Sequence, residues 1–166
     1  MDDTYFTYNA LESQRSSGYR NTTYALAELI DNSFDAGANN CKIIFIERRG
    51  RDGRKFIDEI LISDDGSGMD DDTLAMCLKF GGGTNFDIEK NVAHKKIGKF
   101  GYGLPNASLS QCPSVEVISW NKTDNQRKTK LILSELKQKE SISVPPIESV
   151  NFPEHYGKIK AVISSK

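Results

Sequence analysis

The chain has 166 residues, of which 37% are hydrophobic and 27% charged, a composition typical of one globular domain with a substantial core. Its net charge of −1 gives no overall argument for nucleic-acid binding, although basic residues gather at 48–55 and at 90–99. No apolar run approaches the roughly 20 residues that cross a bilayer, so we expect no membrane partner. The start is unlike a signal peptide, and the three cysteines lack metal-ligand or disulfide spacing. We therefore expect a cytoplasmic protein, or a nuclear one in a eukaryote.

The first third of the chain predicts an arm, a helix and a hairpin. Residues 1–21 predict an irregular N-terminal arm with aromatic anchors. A helix is expected to begin at Thr22 or Thr23, either of which can cap it, and to end at Gly37. Two apolar, β-branched runs flank a basic turn and predict a β-hairpin, with strands over 41–47 and 56–64.

The rest of the chain predicts two more helices, a long loop and further strands. A second helix is expected over 69–80, with acidic residues in its first turn, and a third over 104–111, with Pro105 near its start. The Gly-rich segment 81–103 has little periodicity, and a loop of this length is usually functional or disordered. Strands are expected over 114–120, 128–136 and 157–164. This order predicts an α+β fold, with a mixed, mostly antiparallel sheet and helices on one face.

The first helix carries an acidic stripe. At about 100° per residue, Glu28, Asn32 and Asp35 lie within roughly 60° of one another, with Asp31 beside them. The opposite, apolar half is predicted to hold Leu26, Ala27, Leu29, Ile30 and Phe34. The like charges three and four residues apart repel, and the helix has no lysine or arginine to relieve them. The stripe is either the solvent-facing side of an amphipathic helix or a site for a hydrated divalent cation and an attacking water.

Two Gly-rich segments are the other candidate site elements. In "ISDDGSGMD", Asp64 ends a strand and can accept a hydrogen bond from an exocyclic amine, while Gly66 and Gly68 allow a flat ligand to approach the backbone. A plain turn explains this segment equally. The segment "GKFGYG", at 98–103, offers free backbone N–H groups directly before a helix, an arrangement that binds anions, but a flexible connector has the same composition. The glycine spacing matches neither the dinucleotide-binding nor the Walker motif.

The three segments "ELIDNSFDAGA", "DDGSGM" and "GKFGYG", in this order, resemble the GHKL superfamily, which includes gyrase, histidine kinases, MutL and the heat-shock chaperones of the Hsp ninety class. The arrangement is most similar to MORC-type ATPases, and the resemblance covers about residues 22–110. It implies a two-layer α/β sandwich, the Bergerat fold. It also implies an ATP-binding domain over 22–166, with an ATP lid at about 81–103, and Mg²⁺-dependent ATP hydrolysis.

The resemblance implies a role for each matching residue. Glu28 would be the general base that activates water, and Asn32 would bind Mg²⁺. Asp35 and Ala36 would line the adenine pocket, and Asp64 would accept from the adenine amino group. The remaining nucleotide-binding positions would be Gly66, Gly68, Met69, Gly98, Lys99, Phe100, Gly101, Tyr102, Gly103 and Leu104.

The resemblance also implies partners. Lid closure over ATP would drive N-terminal homodimerisation, and a downstream transducer domain would supply a phosphate-sensing lysine, so we expect the chain to be a fragment of a longer protein. Lys158 stands where many relatives have a phosphate-contacting threonine, which puts that contact in doubt. Two other functions stay open: a non-hydrolysing nucleotide sensor or interaction module, and a histidine-kinase-like phosphotransferase, which Glu28 disfavours. Nucleic acid is a further candidate partner, although a solvated turn is the simpler explanation of the basic residues at 48–55.

Overall fold

The structure is a computed structural model that describes residues 12–13, 15–16, 18–19, 21–78, 103–121, 126–138 and 146–151. The described helices are α1 (Thr22–Asp35), α2 (Asp71–Met76), α3 (Gly103–Gln111) and α4 (Leu133–Gln138). The described strands are β1 (Cys41–Arg49), β2 (Lys55–Asp64), β3 (Ser114–Ser119), β4 (Arg127–Ile132) and β5 (Glu148–Ser149). Residues 12, 13, 15 and 16 are also helical, within the arm that was expected to be irregular. Among the described residues, no helix combines the length and apolar character that crossing a bilayer requires.

Helix α1 is capped one residue earlier than its sequence predicts. The side-chain oxygen of Asn21 accepts a hydrogen bond from the backbone N–H of Tyr24 at 3.2 Å, so Asn21, and neither predicted threonine, is the N-cap. Asparagine is among the best residues at this position because its short side chain reaches the free donors of the first turn. The helix ends at Asp35, and Gly37 adopts a φ of +76°, which glycine allows without strain.

The predicted hairpin is confirmed. Strands β1 and β2 pair antiparallel from Cys41↔Asp64 to Arg49↔Lys55, with a bulge beside Ile46. In the basic turn and the strands beside it, four ion pairs form within the hairpin: Arg48 with Asp58 and with Glu59, Arg54 with Asp52, and Lys55 with Glu47. Much of the positive charge of this segment is therefore balanced locally, which favours the solvated turn over a nucleic-acid surface.

A second antiparallel sheet has the order β3-β4-β5. The predicted strand 128–136 is wrong at its end, because the chain leaves β4 after Ile132 and begins α4. A strand would place Leu133 and Leu136 on opposite faces, whereas a helix places residues three apart on the same side. Both leucines are buried in the helix, at 5% and 6% exposure, and join one hydrophobic cluster. The α+β class and the largely antiparallel pairing are confirmed.

Helix α3 contacts both α1 and β3, and its Leu109 belongs to the same core cluster as Leu78 and Leu131. Helix α2 confirms part of the predicted helix 69–80 and contacts β4. The predicted last strand 157–164 and most of the predicted lid lie outside the described residues.

The three cysteines are free thiols, and burial raises the pKa of Cys77 to about 12. A thiol with this pKa carries almost no thiolate near neutral pH, so it behaves as a small apolar side chain.

Candidate functional site

Helix α1 brings the Glu28 side chain to the first residue of α3. A β-carbon built on Gly103 would lie 2.9 Å from Cδ and 3.2 Å from Cγ of Glu28, and still closer to its carboxylate oxygen. Only glycine leaves room for the carboxylate at this position. The backbone N–H groups of a helix's first turn have no partners within the helix, and its dipole favours negative charge there. This corner of the fold therefore suits an anion, either the carboxylate itself or a phosphate.

The electrostatics of Glu28 match the repulsion expected from the acidic stripe. Burial raises the pKa of Glu28, and the negative charges of Asp31 and Asp35 raise it further. A carboxylate that holds its proton more strongly is a better general base. The plain solvent-facing interpretation of the stripe does not explain a half-buried glutamate held against the start of another helix.

An open depression of about 520 Å³ lies beside Glu28, lined by Gly18, Tyr19, Tyr24, Ala27, Glu28 and Asp31. Burial raises the pKa of Tyr19, and the Glu28 carboxylate adds to this effect. The end of the N-terminal arm therefore lies close to the predicted catalytic base. The apolar side of α1 is narrower than predicted, because Phe34 is 53% exposed and Ala27 is also exposed.

Asn32 has a side-chain amide nitrogen that is buried and has no hydrogen-bond partner among the described residues. A buried polar group without a partner costs free energy, so this amide is a candidate ligand-binding group. Rotation of the amide presents either its nitrogen to a phosphate or its oxygen to a metal. The described residues contain no group of three or more metal-ligating side chains. The amide oxygen of Asn32 would nevertheless suit Mg²⁺, since this ion needs few protein ligands.

Asp64 is held in place by a residue that the sequence did not reveal. The Ser33 hydroxyl donates to one carboxylate oxygen of Asp64 at 3.1 Å, and the Gly66 N–H donates to the other at 2.9 Å. Ser33, in the last turn of α1, is only 3% exposed. The sequence signal that could have revealed Ser33 is its position four residues after Leu29, on the apolar side of the helix, where a hydroxyl needs a hydrogen-bond partner. With both oxygens anchored, their remaining lone pairs have a defined direction.

The two glycines of the Asp-Gly turn meet the protein's own backbone. A β-carbon on Gly66 would lie 3.0 Å from the carbonyl oxygen of Ala36, which accepts from the Ser67 N–H at 2.9 Å. Gly68 has a φ of +73°, and its β-carbon would lie 2.8 Å from the carbonyl carbon of Trp120. The Met69 N–H donates to the Ser119 hydroxyl at 2.8 Å. The turn is thus wedged between the end of α1 and the end of β3, whereas the sequence attributed both glycines to the approach of a ligand.

The structure brings together the predicted site residues that it describes. Glu28, Asn32 and Asp35 lie on α1, Ala36 follows at its end, and the 64–69 turn packs there. Gly103 and Leu104 begin α3 beside Glu28. The predicted lid residues Gly98, Lys99, Phe100, Gly101 and Tyr102 lie outside the described residues.

The helices and antiparallel sheets of the chain are consistent with a domain of the GHKL fold. A family profile described as "Histidine kinase-, DNA gyrase B-, and HSP90-like ATPase" matches residues 19–161. The chain belongs to this family.

Two curated plant proteins are similar to the chain, which confirms the resemblance to MORC-type ATPases. "Protein MICRORCHIDIA 5" of Arabidopsis thaliana is 31% identical over 87 residues, which cover 51% of this chain and 11% of that protein. "Protein MICRORCHIDIA 6" of the same plant is 32% identical over 97 residues, covering 57% of this chain and 13% of that protein. The matched segment is thus a small part of each relative.

Proposed function

We propose that the chain binds and hydrolyses ATP with Mg²⁺, and that the nucleotide lies between α1, the 64–69 turn and the start of α3. The observation that carries this proposal is the double role of α1. Its Glu28 reaches the N-terminus of α3, while its Ser33 holds Asp64. The two residues are about 7.5 Å apart along the helix axis, at 1.5 Å per residue. Helix α1 therefore fixes the distance between Glu28, which is proposed to act at the phosphates, and Ser33, which holds the Asp64 carboxylate proposed to bind adenine.

At the phosphate end, Glu28 is the proposed general base. It takes a proton from water as the water oxygen bonds to the γ-phosphorus, and the bond from that phosphorus to the β,γ-bridging oxygen breaks, so that ADP leaves with the electron pair. The raised pKa of Glu28 suits this role. Asn32 would hold Mg²⁺, which when bound neutralises part of the phosphate charge. Gly103, Leu104 and the predicted lid residues 98–102 would donate backbone N–H groups to the phosphates.

At the adenine end of the site, Asp64 is the proposed acceptor for the adenine amino group. Guanine carries a carbonyl oxygen at the same ring position, so two acceptors would face each other and GTP would bind weakly. Asp35, Ala36, Gly66, Gly68 and Met69 are the proposed lining of this pocket.

The same proposal includes a conformational cycle within an ATP-binding domain over 22–166. ATP that contacts the closed lid, residues 81–103, better than the open one shifts the population to the closed state. Closure would favour an N-terminal dimer that uses the arm 1–21. Sedimentation velocity with Mg²⁺ and a non-hydrolysable ATP analogue tests this step: we expect a dimer with the analogue and a monomer without it. A monomer under both conditions contradicts the dimer.

The assignment of Glu28 as the general base is tested with Glu28→Gln, which keeps the size of the side chain and removes its charge. We expect calorimetric ATP affinity within about threefold of the wild type, with phosphate release slowed by at least about 100-fold. Glu135→Gln, at an exposed glutamate of α4, is the matched control and keeps both properties. Undiminished hydrolysis by Glu28→Gln overturns the base assignment. A wild-type chain that binds ATP without releasing phosphate favours the nucleotide sensor, and one that does not bind ATP refutes the proposal.

The adenine assignment is tested separately. Asp64→Asn is expected to weaken ATP binding by about tenfold, since it alters a charge-assisted hydrogen bond. Unchanged affinity in this variant means that Asp64 does not contact the base.

A further inference from the structure

Asp65, the second aspartate of the "DDGSGM" turn, has no place in the proposed nucleotide contacts, yet it makes a dense set of hydrogen bonds. One carboxylate oxygen accepts from the backbone N–H groups of Asn39 at 2.7 Å and Asn40 at 2.8 Å. The other accepts from the side-chain amide of Asn40 at 2.9 Å. The Asp65 backbone N–H also donates to the Asn40 carbonyl at 3.3 Å. The turn is therefore bound to the loop that joins α1 to β1.

A second attachment lies two residues further along the turn. The Ser67 N–H donates to the carbonyl of Ala36, and Gly66 packs against Ala36 between the two attachments. The turn is thus held to the α1–β1 loop at Asp65 and to the end of α1 at Ser67. Asp64 immediately precedes the first attachment, and its carboxylate accepts from the Gly66 N–H inside the clamped segment. A displaced turn would carry this donor away from the Asp64 carboxylate.

The hairpin does not need Asp65 for its own register. The β1–β2 ladder already closes at Cys41↔Asp64, one residue before Asp65. Asn39 and Asn40 are exposed, so water can replace the lost acceptor when the Asp65 carboxylate is removed. We therefore expect the fold to survive the loss of the Asp65 carboxylate, and the effect to fall on the placement of the turn.

We infer that Asp65 is a positioning residue for adenine recognition. It clamps the 64–69 turn to the loop at 39–40, so that the Asp64 carboxylate faces adenine. This inference rests on the proposed function. Carboxylate acceptors form stronger hydrogen bonds than neutral ones, which suits an aspartate with three donors.

The test compares two nucleotides that differ only at the group Asp64 is proposed to read: ATP and purine riboside triphosphate, which lacks the 6-amino group. Asp65→Ala is expected to raise the dissociation constant of ATP about tenfold and to leave that of purine riboside triphosphate within about twofold. The preference for ATP over purine riboside triphosphate then falls by nearly the same tenfold factor. A residue that only stabilises the fold would weaken both nucleotides equally, because it changes the folded fraction, which thermal unfolding measures.

Three further variants sharpen the comparison. Asp65→Asn is expected to restore the preference to within about threefold of the wild type, since its amide oxygen still accepts the two backbone N–H groups. Asn40→Ala removes the side-chain donor and is expected to lower the preference about threefold. Asn39→Ala is its matched control, because Asn39 contributes only its backbone N–H to Asp65.

The outcomes separate the inference from the proposed function. A preference for ATP that survives in Asp65→Ala overturns the inference, and so does an equal loss for both nucleotides. If Asp65→Ala does not fold, Asn40→Ala decides: a lowered preference supports the inference and an unchanged one overturns it. A wild-type chain that binds neither nucleotide overturns the proposed function together with the inference. A wild-type chain that prefers ATP, with the same preference kept in Asp65→Ala, overturns the inference alone.

Discussion

Gly103→Ala places a methyl group where the Glu28 carboxylate lies. The added β-carbon would be 2.9 Å from Cδ of Glu28 and closer still to one of its oxygens, and no stable contact is that short. The backbone at Gly103 is helical, so alanine adopts it without strain. Because the obstructing group is the end of a flexible, half-buried side chain, Glu28 is expected to swing away while α3 stays in place.

The change in stability follows from two opposing terms. Overpacking costs about 1–3 kcal/mol, with the lower end expected where the neighbour can move. Alanine in place of glycine gains up to about 1 kcal/mol of helix propensity, and less in the first turn. The net loss in Gly103→Ala is therefore about 0.5 kcal/mol, or about 1–2 °C in melting temperature for a domain of this size. Phosphate release is expected to slow by about 100-fold, since the base is displaced.

A double-mutant cycle isolates this contact. In the Glu28→Ala background the overlap is absent, so Gly103→Ala should raise the melting temperature by about 1–3 °C. Calorimetric titration measures the ATP affinity of each variant. It thereby separates displacement of the proposed general base, Glu28, from any change in phosphate binding at the start of α3. The reasoning is refuted if Gly103→Ala lowers stability equally in both backgrounds, or if it hydrolyses bound ATP at the wild-type rate.

Three other predictions test the electrostatics, the core and the helix cap. Asp31→Asn removes one of the charges that raise the pKa of Glu28, so the acidic limb of the kcat–pH profile should move to lower pH; an unmoved limb excludes Glu28 as the titrating base. Leu74→Ala, at a fully buried side chain, should lower the free energy of unfolding in urea by about 2–5 kcal/mol, and a loss below about 1 kcal/mol contradicts its burial. Asn21→Ala should cost about 1 kcal/mol and Thr22→Ala less than about 0.5, an order that reverses if the threonine is the cap.

Elements with strong local signals were predicted well. Helix α1, the β1–β2 hairpin and helix α3 follow from hydrophobic periodicity and from turn residues, which act over a few neighbours along the chain. The end of β4 was missed because "LILSEL" suits a strand as well as a helix, and the core cluster that takes both Leu133 and Leu136 decides between them. The N-cap was misplaced by one residue because asparagine and threonine both cap helices.

By itself, the sequence determined the family of this protein and the residue types of its candidate site, since motif order and spacing are properties of the chain alone. Only the tertiary structure decided how those residues are held. Ser33 meets Asp64 across 31 positions, Asp65 meets Asn40 across 25, and Glu28 meets Gly103 where two helices pack. These contacts depend on the packing of distant elements, and no local pattern specifies which polar groups that packing will bring within hydrogen-bond distance.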